Sequence, residues 1–377
     1  MEGKRFGFTT GSCAAAASKA AAYMLLLGKT KDRIIIDTPK GIPFQAEILD
    51  ITREEKAVAC AVKKDGGDDP DVTSGALVYS KVFLVEESEG YKAVAKIIID
   101  GGVGIGRVTK PGLDQPVGNA AINHVPRQMI EKEVREVCDL ADFHGMLKVE
   151  IFMPEGKAIA EKTFNPRLGI EGGLSILGTT GIVEPMSEKA LLDTILVELK
   201  QHRALGEENI AIAPGNYGQE YMKRTYGFDL DKSVKCSNFI GDTIDMAADC
   251  GFKSLLLTGH IGKLIKLYGG IMNTHSKMGD CRMELLASAV LRSGMDAEYA
   301  KEILECVTTE AALEVFFDNP KFNEVMKELM DKISLFLNKR AAGRIHIECI
   351  IYSNEFGGLI STVGAEKRLR EIQKEMK

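Results

Sequence analysis

DTIDMAADCGFKSLLLTGH, residues 242–260, decides the fold. Asp242–Cys250 reads as a helix, and Ser254–Thr258 as a short apolar strand running out into a glycine-bearing loop. The same helix-then-strand order recurs on both sides. Helix Ser187–Gln201 precedes strand Asn209–Ala213, and a helix around Gln219–Thr225 precedes the run Ser233–Cys236. Helix Lys263–Tyr268 and several helices between Arg282 and Lys339 precede strand Arg344–Tyr352, and Glu366–Met376 is helical again. This alternation predicts a three-layer α/β domain with a mostly parallel sheet, its ligands at the C-terminal ends of the strands.

The first half reads differently. SCAAAASKAAAYMLLL, residues 12–27, is a run of good helix formers, with Thr9, Thr10 and Ser12 as capping hydroxyls and Gly28 as the stop. Short β-branched runs follow at Arg33–Asp37, Phe44–Ile51, Lys56–Lys63, Lys81–Glu86 and Ala93–Asp100, parted by turn residues. Val125–Leu140 reads as an amphipathic helix and Lys148–Met153 as a strand. Strands with few helices predict an α+β domain. The expected boundary lies in the loop Thr163–Arg167, giving an α+β domain over 1–165 and an α/β domain over 166–377.

Composition narrows the class. The 377 residues are 45% hydrophobic and 27% charged, as in an ordinary globular protein. A net charge of −6 argues against a nucleic-acid partner, and Trp is absent. The longest apolar run near the N-terminus, Ala20–Leu27, is far short of the ~20 residues of a membrane span. Eight cysteines without CxxC or metal-ligand spacing read as reduced thiols of a cytoplasmic protein. His275 and Asp280 lack a second ligand pair, so no metal site is expected.

The glycine-rich loops carry the candidate sites. In IIIDGGVGIG, residues 97–106, a strand ends at Asp100 and Gly102, Gly104 and Gly106 offer bare backbone to a ligand. Pro111 comes too soon for the helix of an ordinary dinucleotide fingerprint, so a glycine-rich turn without a ligand is the competing reading. GIEGGLSILGTTG, residues 169–181, presents Gly178, Thr179 and Thr180 in a polar loop. APGNYG, residues 213–218, and TGHIGKLIKLYGG, residues 258–270, both follow strands of the second half, which makes Asn216 and His260 candidate neighbours. Cys13 lies in the first helical turn; a buried packing thiol is preferred there over a nucleophile.

Taken in order, these loops resemble one family. TTGSCAAAA, DGGVGIGRVTKPGL, GNAAINHVPRQMI, NPRLGIEGGLSILGTTGIVEPMS, PGNYG, SNFIGDTIDMA and GHIGKLIKLYGGIMNTHS are similar to the successive motifs of the cobalt-precorrin-5B (C-1)-methyltransferases, called CbiD, of anaerobic cobalamin biosynthesis. The segment departs from that family at His124, where Asn-Pro is expected.

The resemblance implies transfer of a methyl group from S-adenosylmethionine, as co-substrate, to C-1 of cobalt-precorrin-5B, giving cobalt-precorrin-6A. Cobalt enters only as part of the tetrapyrrole substrate. It supplies no established catalytic residue, so Thr180, Asn216 and His260 stand as candidates from the residues themselves. Asp100, Gly102, Gly104, Gly106, Gly178 and Thr179 are expected to hold the donor. Arg107, Lys110, Arg127, Arg167 and Lys263, with Lys266 beside them, are expected to meet the acceptor's carboxylates. The loops Gly178–Gly181, Pro214–Gly218 and Gly259–Lys263 are expected to converge on one crevice facing Asp100–Gly106. A homo-oligomer is compatible with this reading. A small-molecule kinase or other phosphate-binding enzyme is the alternative, although GxxxxGK[ST] is absent. A non-catalytic corrinoid carrier would need only one such loop cluster.

Overall fold

The alanine-rich run near the N-terminus forms helix Thr10–Leu27, capped by the Thr9 side chain, which accepts from Ser12 N–H, and ended by Gly28 at φ +73°. Cys13–Ala17 and Ala20–Ala22 are fully buried, and Lys19 between them is partly exposed. Such small side chains let neighbours approach closely. The helix packs on strands Ala57–Lys63 and Leu77–Val85 and on helix His124–Leu140. Ser18 Oγ bonds Ser80 Oγ at 2.8 Å, and Lys19 Nζ reaches the buried Glu133 at 2.7 Å.

This computed structural model describes residues 5–85, 94–185 and 187–376. It divides into two compact units, Met1–Ser187 and Glu188–Lys377. The first unit holds a five-stranded sheet in the order Leu49–Glu54, Ala57–Lys63, Leu77–Val85, Met146–Phe152, Lys96–Gly101. It is antiparallel except for its last pair. The expected strand Phe44–Ile51 is two strands. Pro43–Glu47 pairs with Arg33–Asp37 in a separate ribbon, while Leu49–Glu54 joins the sheet, with Asp50 at φ +48° in the irregular register. Glu86 and Ala93, at the ends of two expected strands, lie outside the described residues.

The boundary expected at Thr163–Arg167 is corrected. The segment after it belongs to the first unit because its backbone is bonded there. Ile170–Glu171 pairs with Arg107–Val108, Leu174 bridges Ile105, Ile176 bridges Ile122, and Ile182–Val183 pairs with Gly7–Phe8.

The second unit carries one five-stranded sheet in the order Val234–Lys235, Asn209–Ala213, Ser254–His260, His346–Ser353, Gly357–Ser361. The first four strands are parallel and the last is antiparallel. Side chains alternate between the faces. Ile210, Ile212, Leu255, Leu257, Ile347 and Cys349 join an apolar cluster with Ile244, Leu264 and Ile333. Ala211, Ala213, Leu256, Ile350 and Tyr352 join another with Met222, Leu369 and Ile372. From Asn209–Ala213 the chain moves outward to Val234–Lys235, then back across to Ser254–His260 on the other side. The two loops leaving the central strands therefore diverge at a topological switch point, where open α/β sheets hold ligands.

Candidate active site

At that switch point lies a crevice of about 300 Å³, lined by Pro214, Gly215 and Tyr217, by Gly259, His260, Gly262 and Lys263, by Arg282 and Thr308–Glu310, and by Tyr352 and Asn354. Gly218, at φ +84°, lets the first loop turn tightly over Tyr352: a Cβ there would sit 2.0 Å from the tyrosine ring. The Tyr352 hydroxyl donates to the Tyr217 carbonyl, and Lys263 Nζ donates to the Pro214 carbonyl at 3.3 Å. Tyr217 itself is 70% exposed, its ring centroid 6.4 Å from that of His260.

His260 ends its strand and caps helix Ile261–Tyr268. Its Nδ1 accepts from Gly262 N–H at 3.0 Å, which leaves the ring proton on Nε2, 2.6 Å from Glu310 Oε1. Glu310 also accepts from the Ser353 hydroxyl and from Asn354 N–H. Both ring nitrogens and the carboxylate are thus engaged, so the pair braces three segments of the crevice wall. Lys263 is half-buried, and burial holds its ammonium below the usual lysine range, with the nearby Cys236 acting the other way. Burial pushes the Cys236 thiol up to about 12. Arg282 is paired with Asp280 at 2.6 Å.

Two of the expected loops, Pro214–Gly218 and Gly259–Lys263, thus meet as the sequence predicts, and His260 and Lys263 line the crevice. Asn216 does not. It is exposed, and its carbonyl accepts from Gln219 N–H. Sequence reasoning missed Glu310 and Tyr352. Glu310 sits in the helical stretch 282–340, which carries no distinctive motif. Tyr352 ends an expected strand, and the rule that ligands gather at strand C-termini points to it.

The first unit uses its candidates differently. Gly102, Gly104 and Gly106 are required by the protein's own packing. A Cβ would lie 2.8 Å from the Glu150 side chain at Gly102, 1.7 Å from the Met153 carbonyl at Gly104, and 2.4 Å from Ile170 at Gly106. The space expected for a ligand is filled by backbone and side chains. Burial alone would raise the Asp100 pKa, but the Arg107 guanidinium at 2.8 and 3.2 Å and the Gly101 N–H outweigh it and hold it low. Arg127 is also corrected from a substrate contact. Its guanidinium donates to the carbonyls of Ile122, Ile99 and Ala120, and burial lowers its pKa. Lys110 Nζ donates to the carbonyl of the half-buried Arg167.

The loop Gly178–Gly181 also belongs to the first unit and folds onto the start of helix Thr10–Leu27. A Cβ at Gly178 would lie 2.5 Å from Thr9, and the Gly181 carbonyl accepts from Thr9 N–H and the Ser12 hydroxyl. Thr180 bonds Ile182 within its own turn, and Thr179 is exposed. Cys13 is fully buried, its thiol pushed up to about 12 by burial, and packs as a small apolar group. His275 caps a short turn through Lys277 N–H, and Asp280 is held by Arg282. Among the described residues no helix is long and apolar enough to cross a membrane.

A mostly parallel sheet with a crevice at its switch point, carrying one half-buried lysine and a braced carboxylate, places the second unit among the open-sheet α/β folds. The comparisons narrow this. Residues 1–185 match the family model described as CbiD, and residues 273–362 match that described as CbiD, C-terminal domain. A protein of Ruminiclostridium cellulolyticum named cobalt-precorrin-5B C(1)-methyltransferase is 45% identical over 99% of this chain and 97% of its own. One of the same name from Alkaliphilus metalliredigens is 44% identical over 98% of this chain and 95% of its own. A solved structure described as a cobalamin biosynthesis protein (cbiD) from Archaeoglobus fulgidus is 26% identical, covering 73% of this chain and 83% of that one, at a TM-score of 0.37. The chain belongs to the CbiD family.

Proposed function

We propose that this chain transfers a methyl group from S-adenosylmethionine to C-1 of cobalt-precorrin-5B, giving cobalt-precorrin-6A in anaerobic cobalamin biosynthesis. The enzyme is a C-methyltransferase. The observation that carries this is its similarity, over nearly the whole chain, to relatives bearing that name. The phosphate-binding alternative finds no support in those relatives.

In our reading the donor lies in the switch-point crevice of the second unit. Three observations support this: the crevice forms at strand C-termini, the loops Pro214–Gly218 and Gly259–Lys263 line it, and the glycine cluster of the first unit is packed against itself. We read the second unit as three-layered, supported by the apolar cluster on each face of its sheet. Arg107, Lys110 and Arg167 stay as candidate contacts for the acceptor's carboxylates. We assign the chain to the cytoplasm on its eight free cysteines.

The chemistry asks little of acid or base. A sulfonium methyl is already activated, and the macrocycle carbon is electron-rich. The protein's task is to align sulfur, methyl and carbon and to exclude water. A braced His260–Glu310 pair suits a rigid wall for that alignment. The test is anaerobic incubation of the full chain with cobalt-precorrin-5B and methyl-labelled S-adenosylmethionine, followed by mass spectrometry. One labelled methyl at C-1 is expected; an unlabelled macrocycle of unchanged mass overturns the reading.

A further inference from the structure

Lys263 stands out among the charged groups of the crevice. Arg282 has Asp280, and Glu310 has three donors. Among the described residues Lys263 has no carboxylate partner; its polar contact is the single Pro214 carbonyl at 3.3 Å. A half-buried ammonium without a counter-charge is costly, and burial depresses its pKa accordingly.

The neighbouring wall is complementary. In the Pro214–Gly218 loop the carbonyls of Pro214, Asn216 and Tyr217 are taken by Lys263, Gln219 and Tyr352. The backbone N–H groups of Gly215, Asn216, Tyr217 and Gly218 donate to no acceptor among the described residues. Gly215 and Tyr217 line the same crevice as Lys263. An uncompensated ammonium beside a run of unused N–H donors suits an anion.

We propose that this corner of the crevice binds a carboxylate and, resting on the reading that the methyl donor occupies the crevice, that it is the α-carboxylate of the donor's methionine moiety. One ammonium and backbone donors match a singly charged planar group. A crevice of about 300 Å³ suits a nucleoside-sized ligand better than a macrocycle ringed with acids. This assigns Lys263 to the donor, where the sequence had suggested the acceptor.

The test is calorimetric titration of the full chain with two adenosine compounds and, anaerobically, with cobalt-precorrin-5B. S-adenosylhomocysteine keeps the amino-acid moiety, and 5′-methylthioadenosine lacks it. Wild type, Lys263→Met and Lys263→Arg are compared, with thermal melts to check the fold. Lys263→Met is expected to weaken S-adenosylhomocysteine by about tenfold or more and to leave 5′-methylthioadenosine within about twofold; Lys263→Arg is expected to restore most of the loss. Unchanged S-adenosylhomocysteine affinity in Lys263→Met overturns the carboxylate assignment and leaves the donor reading standing. Equal loss of both compounds also overturns it, because the effect is then not specific to the carboxylate. Weakened cobalt-precorrin-5B with unchanged S-adenosylhomocysteine gives the lysine to the acceptor and overturns the proposal. Wild type that binds neither adenosine compound overturns the donor reading itself, and this proposal with it.

Discussion

His260 Nε2 and Glu310 Oε1 lie 2.6 Å apart, joining the end of a central strand to the first turn of helix Thr309–Glu314. Each side chain is only 17% exposed. Glu310→Ala would leave His260 Nε2–H, the Ser353 hydroxyl and Asn354 N–H without their acceptor. A loss of about 2 kcal/mol is expected, measured by denaturant unfolding. A change within error would show that these bonds do not hold the wall.

Gly104 separates packing from ligand binding. Gly104→Ala forces a Cβ toward the Met153 carbonyl at positive φ and is expected to cost about 3 kcal/mol or to prevent folding. Gly172→Ala, also at positive φ but with nothing within 4 Å, should cost about 1 kcal/mol. Comparable melting temperatures for the two variants would contradict this account.

Arg127 is a clamp for three carbonyls, so its loss should appear in stability. Arg127→Met is expected to lower stability by about 2 kcal/mol, and Lys should rescue little because it lacks the planar fork. Full recovery of the melting temperature in Arg127→Lys would argue against the clamp.

Buried Lys64 pairs with Asp71. Burial pushes the Asp71 carboxyl upward, but Lys64 and the Thr73 donors outweigh it and hold its pKa below the usual range. A folded pKa depressed below the unfolded value of roughly 3.9 means stability present above that pH and lost as pH falls through the folded value. Asp71→Asn should flatten this part of the acid limb and, by leaving Lys64 unpaired, cost about 3 kcal/mol at neutral pH. Unfolding curves between roughly pH 2 and 7 read both effects.

Thiol accessibility is a further check. Cys13, Cys60, Cys138, Cys236 and Cys349 are buried, while Cys250, Cys281 and Cys306 are partly exposed. An aromatic disulfide reagent on the native chain should modify only the last three rapidly, identified by peptide mass spectrometry. Rapid modification of Cys13 would show that the start of its helix opens.

The second unit was legible because helix and strand signals alternate there, and the strand-end rule led to Pro214–Gly218 and Gly259–Lys263. The first unit hid more. Glycines at 102, 104 and 106 look alike whether the bare backbone faces a ligand or the protein's own chain, and the positions of Glu150, Met153 and Ile170 decide. Arg127 was unreadable for a similar reason: its three acceptors are backbone carbonyls, which leave no mark in the sequence. The strand break near Ile48 follows from tertiary pairing, since Ile48 N–H bonds the Asp32 carbonyl. Glu310 comes from a stretch whose helices repeat an ordinary amphipathic pattern.

The strap that carries Ile170–Glu171, Leu174, Ile176 and Ile182–Val183 has a consequence for biosynthesis. Gly7 pairs across strands with Val183, and the capped start of the first helix rests on Gly181. A ribosome that has delivered the whole first sheet has still not delivered the segment that pairs with Gly7–Phe8 and Arg107–Val108. The buried helix Thr10–Leu27 is made among the earliest residues and sealed among the last of its unit. Contacts so distant along the chain slow folding and leave apolar surface exposed meanwhile. A chain cut at residue 165 would therefore lack the Gly181 carbonyl that accepts from Thr9 N–H and the Ser12 hydroxyl at the start of that helix. It should melt below a chain cut at 187, which keeps those acceptors.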